Sequence, residues 1–165
     1  MQNKLIYGEL EKGNYYVRPI DWAGLWNNGK LVGGNILYEF ETEKECISAI
    51  KASEISVFRM NDYEWWASKL SLEETEKIYE KEVGEENEID EIYECGIDES
   101  GMWYEIDGKE ILPKKYGLKC NPKININFGD IKKINGTTFQ YIPFRIAIMN
   151  ISEINKPICI ACTEY

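Results

Sequence analysis

Short turn dipeptides divide this chain into strands that pair as antiparallel hairpins. Asn-Gly and Asp-Gly suit the two central positions of tight hairpin turns, because those positions need a positive φ that these residues adopt at little cost. The four predicted turns are Asn28-Gly29, Asn61-Asp62, Asp107-Gly108 and Asn135-Gly136, of which the second lacks the glycine. A chain that reverses so often favours antiparallel sheets.

The segments beside these turns are rich in β-branched and aromatic residues, which are typical of strands. Turn Asn61-Asp62 links residues 55–59 with 63–67, Asp107-Gly108 links 102–106 with 109–112, and Asn135-Gly136 links 131–134 with 137–142. The run 157–165 is apolar and compact, which is typical of a buried strand.

Two helices carry start signals. Thr42 with Glu45, and Ser71 with Glu74, have the spacing of capping boxes, in which the hydroxyl accepts from the third amide and the glutamate reaches back. Gly84 suits the end of the second helix. A third helix is predicted after Pro143, although the β-branched residues there also permit a strand.

These elements predict an α+β fold, in which antiparallel hairpins form one or two sheets and two to three helices pack on them. The chain has 165 residues, near the usual size of one domain. Residues 1–53 are predicted to form a small N-terminal lobe of hairpin and helix, and residues 54–165 the main domain.

Negative charge is concentrated in the middle of the chain. The net charge is −10, but residues 54–112 alone contain nineteen Asp and Glu against five Lys and Arg, whereas residues 113–165 have an excess of cations. Such a surface repels phosphate backbones and attracts basic proteins. We therefore expect a basic protein partner and no direct contact with nucleic acid, although the acid could also serve only to keep the protein in solution.

The sequence lacks the residues of common catalytic sites. It has no histidine, which removes the usual general base, the Ser-His and Cys-His pairs and most zinc sites. The carboxylate pairs Asp62 with Glu64 and Asp98 with Glu99 lie beside turns, and nothing places them in an apolar pocket. We expect a protein that is not an enzyme and that has no metal and no cofactor.

The five cysteines are odd in number, which favours a reducing compartment and free thiols. Cys159 and Cys162 have C-x-x-C spacing, but residues three apart on a strand point to opposite faces, so we expect their thiols to diverge. No run approaches the ~20 apolar residues of a membrane span, so the cytoplasm is the expected location and no membrane partner is expected.

Aromatic residues near the acidic segment are the best candidates for a binding site. Trp65 and Trp66 are adjacent on a predicted strand, so they face opposite sides of it, where each is covered or exposed. An exposed tryptophan beside carboxylates would anchor a basic partner. The candidate partner-binding residues are Asp62, Glu64, Trp65, Trp66, Glu85, Glu86, Glu88, Asp98, Glu99 and Trp103.

From Phe58 onward the chain resembles a group of short proteins encoded in phages and prophages of Firmicutes. The resemblance rests on the segments FRMNDYEWWA (58–67), the SLEE helix from Ser71 to Gly84, GMWYE (101–105) and the ending IACTEY (160–165), about two thirds of the chain. Residues 1–53 and 112–127 depart from the pattern. The resemblance implies inhibition of a bacterial defence system, as by anti-CRISPR proteins, many of which are acidic and occupy a basic nucleic-acid channel.

Three functions follow from these observations as hypotheses. The first is a non-enzymatic inhibitor that docks its acidic region on a basic, nucleic-acid-binding host effector. The second is a nucleotide-binding protein, in which Trp65, Trp103 or Tyr116 stacks a base and lysines of residues 114–133 hold its phosphate. The third is a structural accessory module of the phage.

Overall fold

A computed structural model of the chain describes residues 4–84, 91–113, 115–118, 126–151 and 153–162. Its helices and antiparallel strands confirm the predicted α+β class. The strands are β1 (Leu5–Glu9), β2 (Tyr15–Pro19), β3 (Gly24–Asn27), β4 (Lys30–Gly34), β5 (Tyr38–Phe40), β6 (Ser56–Arg59), β7 (Glu64–Ser68), β8 (Tyr93–Cys95), β9 (Gly101–Glu105), β10 (Lys115–Tyr116), β11 (Ile131–Ile134), β12 (Thr137–Pro143) and β13 (Ile158–Cys162). The helices are α1 (Glu43–Lys51), α2 (Leu72–Val83) and α3 (Phe144–Met149), and a 3₁₀ turn follows α1 at Ala52–Glu54.

The described strands form four small groups, so the prediction of one or two sheets is wrong, because the hairpins pair with different distant strands and do not join one another. The N-terminal sheet has the order β1-β2-β5-β10, and β3 pairs with β4 in a separate hairpin. The tryptophan sheet, which carries Trp65 and Trp66, has the order β13-β7-β6-β8, and the three-stranded sheet has the order β11-β12-β9. None of the helices in the described part of the chain has the length and apolar character needed to cross a membrane.

Three of the four predicted turns are confirmed. Asn28 and Gly29 have φ angles of 48° and 76°, and Asn135 and Gly136 have angles of 50° and 86°, as a tight hairpin turn requires. The turn at Asn61-Asp62 also joins two paired strands, β6 and β7, and the Met60 amide donates to the Glu64 carbonyl at 2.9 Å.

The predicted hairpin at Asp107-Gly108 is wrong. Strand β9 pairs with β12 instead, and residues 109–112 form no strand. The amides of Ile111 and Leu112 donate to the Oε1 atom of Gln140 at 2.9 and 3.1 Å. A buried side chain thus supplies the acceptor that a neighbouring strand would have offered, because buried amides need a partner.

Both predicted capping boxes are confirmed. The Thr42 hydroxyl accepts from the Glu45 amide at the start of α1, and the Ser71 hydroxyl accepts from the Glu74 amide at the start of α2. Helix α2 ends at Gly84, which has a φ of 96° and donates to the Glu80 carbonyl at 2.9 Å. Tyr79 and Thr75 form the buried face of this helix.

Helix α3 forms after Pro143, so the helical prediction is the correct one, and it lies at the centre of the protein. Ile146 and Ala147 belong to a core cluster with residues of the N-terminal sheet and α1. Phe144 and Ile148 belong to a second cluster with residues of the tryptophan sheet. One short helix, buried on all sides, therefore joins the two cores.

The predicted boundary at residue 53 stays a prediction, and several contacts cross it. Strand β10 completes the N-terminal sheet by pairing with β5. The Arg145 side chain donates to the Ala49 carbonyl and to the Ser53 hydroxyl of the N-terminal segment. The first 53 residues thus share a core with the rest of the chain.

The prediction that the last strand is buried is wrong, because β13 is an edge strand of the tryptophan sheet. Among the described strands it pairs with β7 alone, and Cys159 and Cys162 are exposed. Residues 163–165 of the predicted run lie outside the described residues.

Candidate protein-binding surface

The structure does not bring the predicted binding residues into one site. Asp62 and Glu64 lie at the turn between β6 and β7, whereas Trp103 lies on β9 of the three-stranded sheet. Asp98 and Glu99 precede β9. Glu85, Glu86 and Glu88 lie outside the described residues.

Trp65 and Trp66 face opposite sides of the tryptophan sheet, as the alternation of side chains along a strand predicts. Trp66 is 5% exposed and packs under α2, with its ring 5.2 Å from the Tyr79 ring in an edge-to-face arrangement. Trp65 is half-buried and packs against the second core cluster. Both indoles therefore contribute to packing, and neither projects openly into solvent.

Asp98 is held inside the protein by Arg145. Two hydrogen bonds of 2.7 Å join the guanidinium to the carboxylate, and the Tyr38 hydroxyl donates to the same carboxylate at 2.8 Å. Glu99 is exposed, but its carboxylate lies against Gly96, where an added Cβ would come within 2.1 Å of Oε2. The Asp98 charge is thus used within the fold.

Trp103 borders a shallow cleft along β9. The cleft has a volume of about 590 Å³ and is lined by Met102, Trp103, Tyr104, Glu105, Ile106, Asp107, Lys109 and Ile111. The Lys132 ammonium lies 4.2 Å from the centre of the Trp103 ring, and the Tyr141 ring meets that ring edge-on. A base that stacked on Trp103 would have to displace the lysine or use the opposite side of the ring.

Helix α2 and strand β8 together present a strongly acidic surface. Helix α2 carries five glutamates and two lysines, and one of the lysines, Lys77, is ion-paired with Glu73 at 2.7 Å. Glu94 of β8 pairs with Phe58, whose side chain lies in the cluster under α2, so Glu94 lies on the same side of the sheet as the helix. We call this surface the acidic face; its exposed carboxylates are those of Glu73, Glu74, Glu80, Glu82 and Glu94.

The packing under α2 fixes the acidic face in position. Tyr79 is fully buried against Trp66, and the Thr75 hydroxyl donates to the Ser68 hydroxyl at 2.9 Å. Two hydrogen bonds from Ser71 lower the pKa of the Glu74 carboxyl. The bond from the Ser71 backbone amide has the larger effect, and the bond from its hydroxyl has the smaller one. This carboxyl therefore stays ionised well below neutral pH.

The exposed aromatic residue next to the acidic face is a tyrosine, which the sequence did not single out. Tyr63 is 53% exposed and lies in the turn whose Asn61 donates to the Tyr79 hydroxyl of α2. Tyr93 of β8 is 41% exposed but pairs with Arg59, so it lies on the side of the sheet opposite to Glu94. The Arg59 guanidinium lies 5.6 Å from the centre of the Tyr93 ring and forms an ion pair with Asp62. The position of Tyr63 in a turn was the signal for its exposure, because turn tips face solvent.

The prediction that the Cys159 and Cys162 thiols diverge is wrong, because a bulge interrupts β13. Cys159 lies opposite Trp66 and Cys162 opposite Glu64, and these two residues of β7 share a face. Burial, then the negative charge of Glu64, raises the pKa of Cys159 to about 11. Within the described residues no group of three or more His, Cys, Asp or Glu side chains could hold a metal ion.

No protein family model, curated protein or solved structure matches this chain. The function must therefore be inferred from the residues and the geometry described above.

Proposed function

We propose that this protein is a non-enzymatic binding protein of phage origin that docks its acidic face on a basic host protein. The observation that carries the proposal is the excess of exposed carboxylates on α2 and β8, which are fixed on a packed face. They outnumber the cations there, which are Lys77, Lys81 and Lys156, the last ion-paired with Glu82 at 3.7 Å. An acidic surface of this kind is complementary to a cationic partner and speeds its association.

The class of partner follows from the charge together with the resemblance to phage-encoded proteins. A protein that binds nucleic acid needs a basic channel, and an acidic protein in that channel competes with the nucleic acid. We therefore propose a nucleic-acid-binding defence effector, such as a CRISPR effector, as the partner. Tyr63 supplies an exposed aromatic contact beside the charges.

The test is the affinity of the full chain for purified CRISPR effectors, measured by biolayer interferometry in low and high salt. The triple variant Glu80→Gln, Glu82→Gln, Glu94→Gln should bind at least about tenfold more weakly, and binding of the wild type should weaken markedly by about 0.5 M salt. Affinity that is independent of salt would contradict the proposal.

A matched control separates the acidic face from the total charge of the protein. The variant Glu41→Gln, Glu105→Gln, Glu153→Gln removes three exposed carboxylates outside the acidic face. We expect it to bind the effector within about twofold of the wild type, because contacts outside an interface contribute little. An equal loss in both triple variants would show that only net charge matters.

A second candidate function is the binding of a small ligand such as a nucleotide. The cleft along β9 favours it, because its volume of about 590 Å³ lies in the range of ligand sites and Trp103 and Lys109 line it. A thermal-shift screen with nucleotides tests this function, and the variant Trp103→Ala should abolish any stabilisation found.

A further inference from the structure

Arg18 is a buried cation at the end of β2. Its side chain is 2% exposed, and its Nε atom donates to the Pro19 carbonyl at 3.3 Å. Its Nη1 atom has no hydrogen-bond partner in the part of the chain that the structure describes. Among the described residues, no carboxylate forms an ion pair with it. A buried guanidinium is strongly unfavourable unless an anion compensates it, so this atom is a candidate for contact with a ligand.

The guanidinium lies beneath the β3–β4 hairpin. A Cβ added to Gly24 would lie 2.2 Å from Arg18 Nη1 and 2.8 Å from Leu31 Cδ1, so the unpartnered nitrogen lies against the backbone of β3. The Trp26 ring lies 5.9 Å from the guanidinium carbon, and the Tyr16 ring meets Trp26 edge-on at 6.1 Å. The charge therefore lies against the Trp26 ring and close to Leu31, and Tyr16 packs on the tryptophan.

The same hairpin exposes apolar side chains to solvent. Leu25 is 68% exposed, Trp26 is 51% exposed and Val32 is 44% exposed, and Ile20 beside the hairpin is 55% exposed. Lys30, at the start of β4, is ion-paired with Glu9 at 3.1 Å. Grouped apolar side chains on a surface mark interaction sites more often than isolated ones do.

We propose that Arg18 and the β3–β4 hairpin form a second docking surface, occupied by a segment of another protein that carries a carboxylate flanked by apolar side chains. The carboxylate pairs with Arg18 Nη1, and the apolar neighbours cover Leu25 and Trp26. This surface shares no residue with the acidic face and selects a partner of opposite charge, so it is independent of the proposed function.

The proposed contact requires the hairpin to shift, because Arg18 Nη1 lies under the backbone of β3. Strands β3 and β4 pair with each other, and in the described residues a single bridge, Leu10 to Leu31, links them to another strand. Leu31 of β4 is 1% exposed and Trp26 packs on Arg18, so displacing the hairpin has a cost, which the partner's carboxylate and apolar side chains must offset. Binding therefore alters the surroundings of Trp26, and its fluorescence reports the event.

The experiment first depletes a random linear peptide library on the Arg18→Met variant, which keeps the acidic face and so removes the basic peptides that this face binds. The remaining library is panned against the full chain, and the affinity of a synthetic enriched peptide is measured. Enriched peptides should contain Asp or Glu between apolar residues. Replacing that carboxylate with an amide, or introducing Arg18→Met, should each weaken binding by about tenfold or more. Enriched peptides without an acid, or full affinity in Arg18→Met, would overturn the proposal.

Further variants guard against misfolding and identify the occupant. Leu25→Ser alters only an exposed side chain, so it should lower the affinity for the peptide several-fold without changing the urea midpoint of unfolding. Lys30→Met should leave the affinity unchanged. Unchanged binding in Leu25→Ser would overturn the apolar part of the site. If the protein forms a dimer that Leu25→Ser dissociates, the occupant is a second copy of the chain. If acetate alone stabilises the protein and Arg18→Met abolishes that effect, the occupant is a small anion. Either result overturns the proposal.

Discussion

Arg145 and Asp98 are 47 residues apart in the chain, and two hydrogen bonds of 2.7 Å join them, from Nε to Oδ1 and from Nη2 to Oδ2. Their side chains are 4% and 17% exposed. Arg145 also donates to Ser53 at 2.7 Å and to the Ala49 carbonyl, so one guanidinium connects α3 and the segment before β9 with α1 and the 3₁₀ turn that follows it. This network fixes the position of the N-terminal segment on the central helix.

The first prediction concerns the removal of one partner from this ion pair. Asp98→Asn leaves the charge of Arg145 buried without its anion, so we expect the free energy of unfolding to fall by about 3–5 kcal/mol. Urea denaturation near pH 7 measures it. Glu73→Gln is the matched control, because it breaks the exposed pair with Lys77 and should cost less than about 0.5 kcal/mol. A loss in Asp98→Asn as small as in the control would show that the network carries no stability.

The second prediction concerns the buried amide of Gln140, which replaces a strand as the partner of residues 111 and 112. Gln140→Met removes the acceptor of the Ile111 and Leu112 amides, so we expect a loss of about 2–4 kcal/mol and faster hydrogen exchange at both amides. Urea denaturation and NMR exchange measure the two effects. Thr138→Val, on the same strand, should leave the exchange rates unchanged. If the two amides exchanged at the same rates in Gln140→Met and in the wild type, they would be hydrogen-bonded to water and not to Gln140.

The third prediction concerns the cap that starts the helix of the acidic face. Ser71→Ala removes the acceptor of the Glu74 amide, so we expect α2 to fray and the protein to lose about 1 kcal/mol of stability. Ser48→Ala, inside α1, should change stability by no more than a few tenths of a kcal/mol. If the two variants behaved alike in urea, the hydroxyl would not act as a cap. Partner affinity measured on Ser71→Ala reports whether the order of this helix matters for binding.

Features set by neighbouring residues could be predicted from the sequence. The capping boxes involve residues three apart, and the Asn-Gly turns depend on the φ preferences of two residues, so both were visible in the chain. The pairing of β9 with β12 was not, because about thirty residues separate the strands and Asp107-Gly108 is a good local turn signal. The acceptor that displaced the expected strand is a single side chain, Gln140.

The binding residues were harder to predict because exposure depends on packing between distant elements. The high charge of α2 was visible in the sequence, and the structure leaves four of its five glutamates exposed to solvent. By contrast, Trp66 is covered by α2 and Asp98 is held by Arg145, and neither contact has a local signature. Arg18 had no signature either, because its burial depends on the β3–β4 hairpin above it.

The last prediction concerns the reactivity of Cys159, which is exposed on one side and covered by neighbouring atoms on the other, so that partial burial and Glu64 raise its pKa to about 11. A raised pKa keeps the thiol protonated as pH rises, so at about pH 8 the thiolate fraction is roughly a hundredfold below that of a thiol with the ordinary value of 9.0. We expect iodoacetamide to alkylate Cys159 slowly at that pH and increasingly fast toward pH 11, as measured by peptide mass spectrometry. After burial, the charge of Glu64 is the next cause of the raised pKa, and Glu64→Gln removes it. The rate of alkylation should therefore begin to increase at a lower pH in that variant. Glu94→Gln is the matched control and should leave the profile unchanged. A profile that Glu64→Gln does not move would mean that burial alone protects the thiol, and that Glu64 and Cys159 do not interact across the β7–β13 pair.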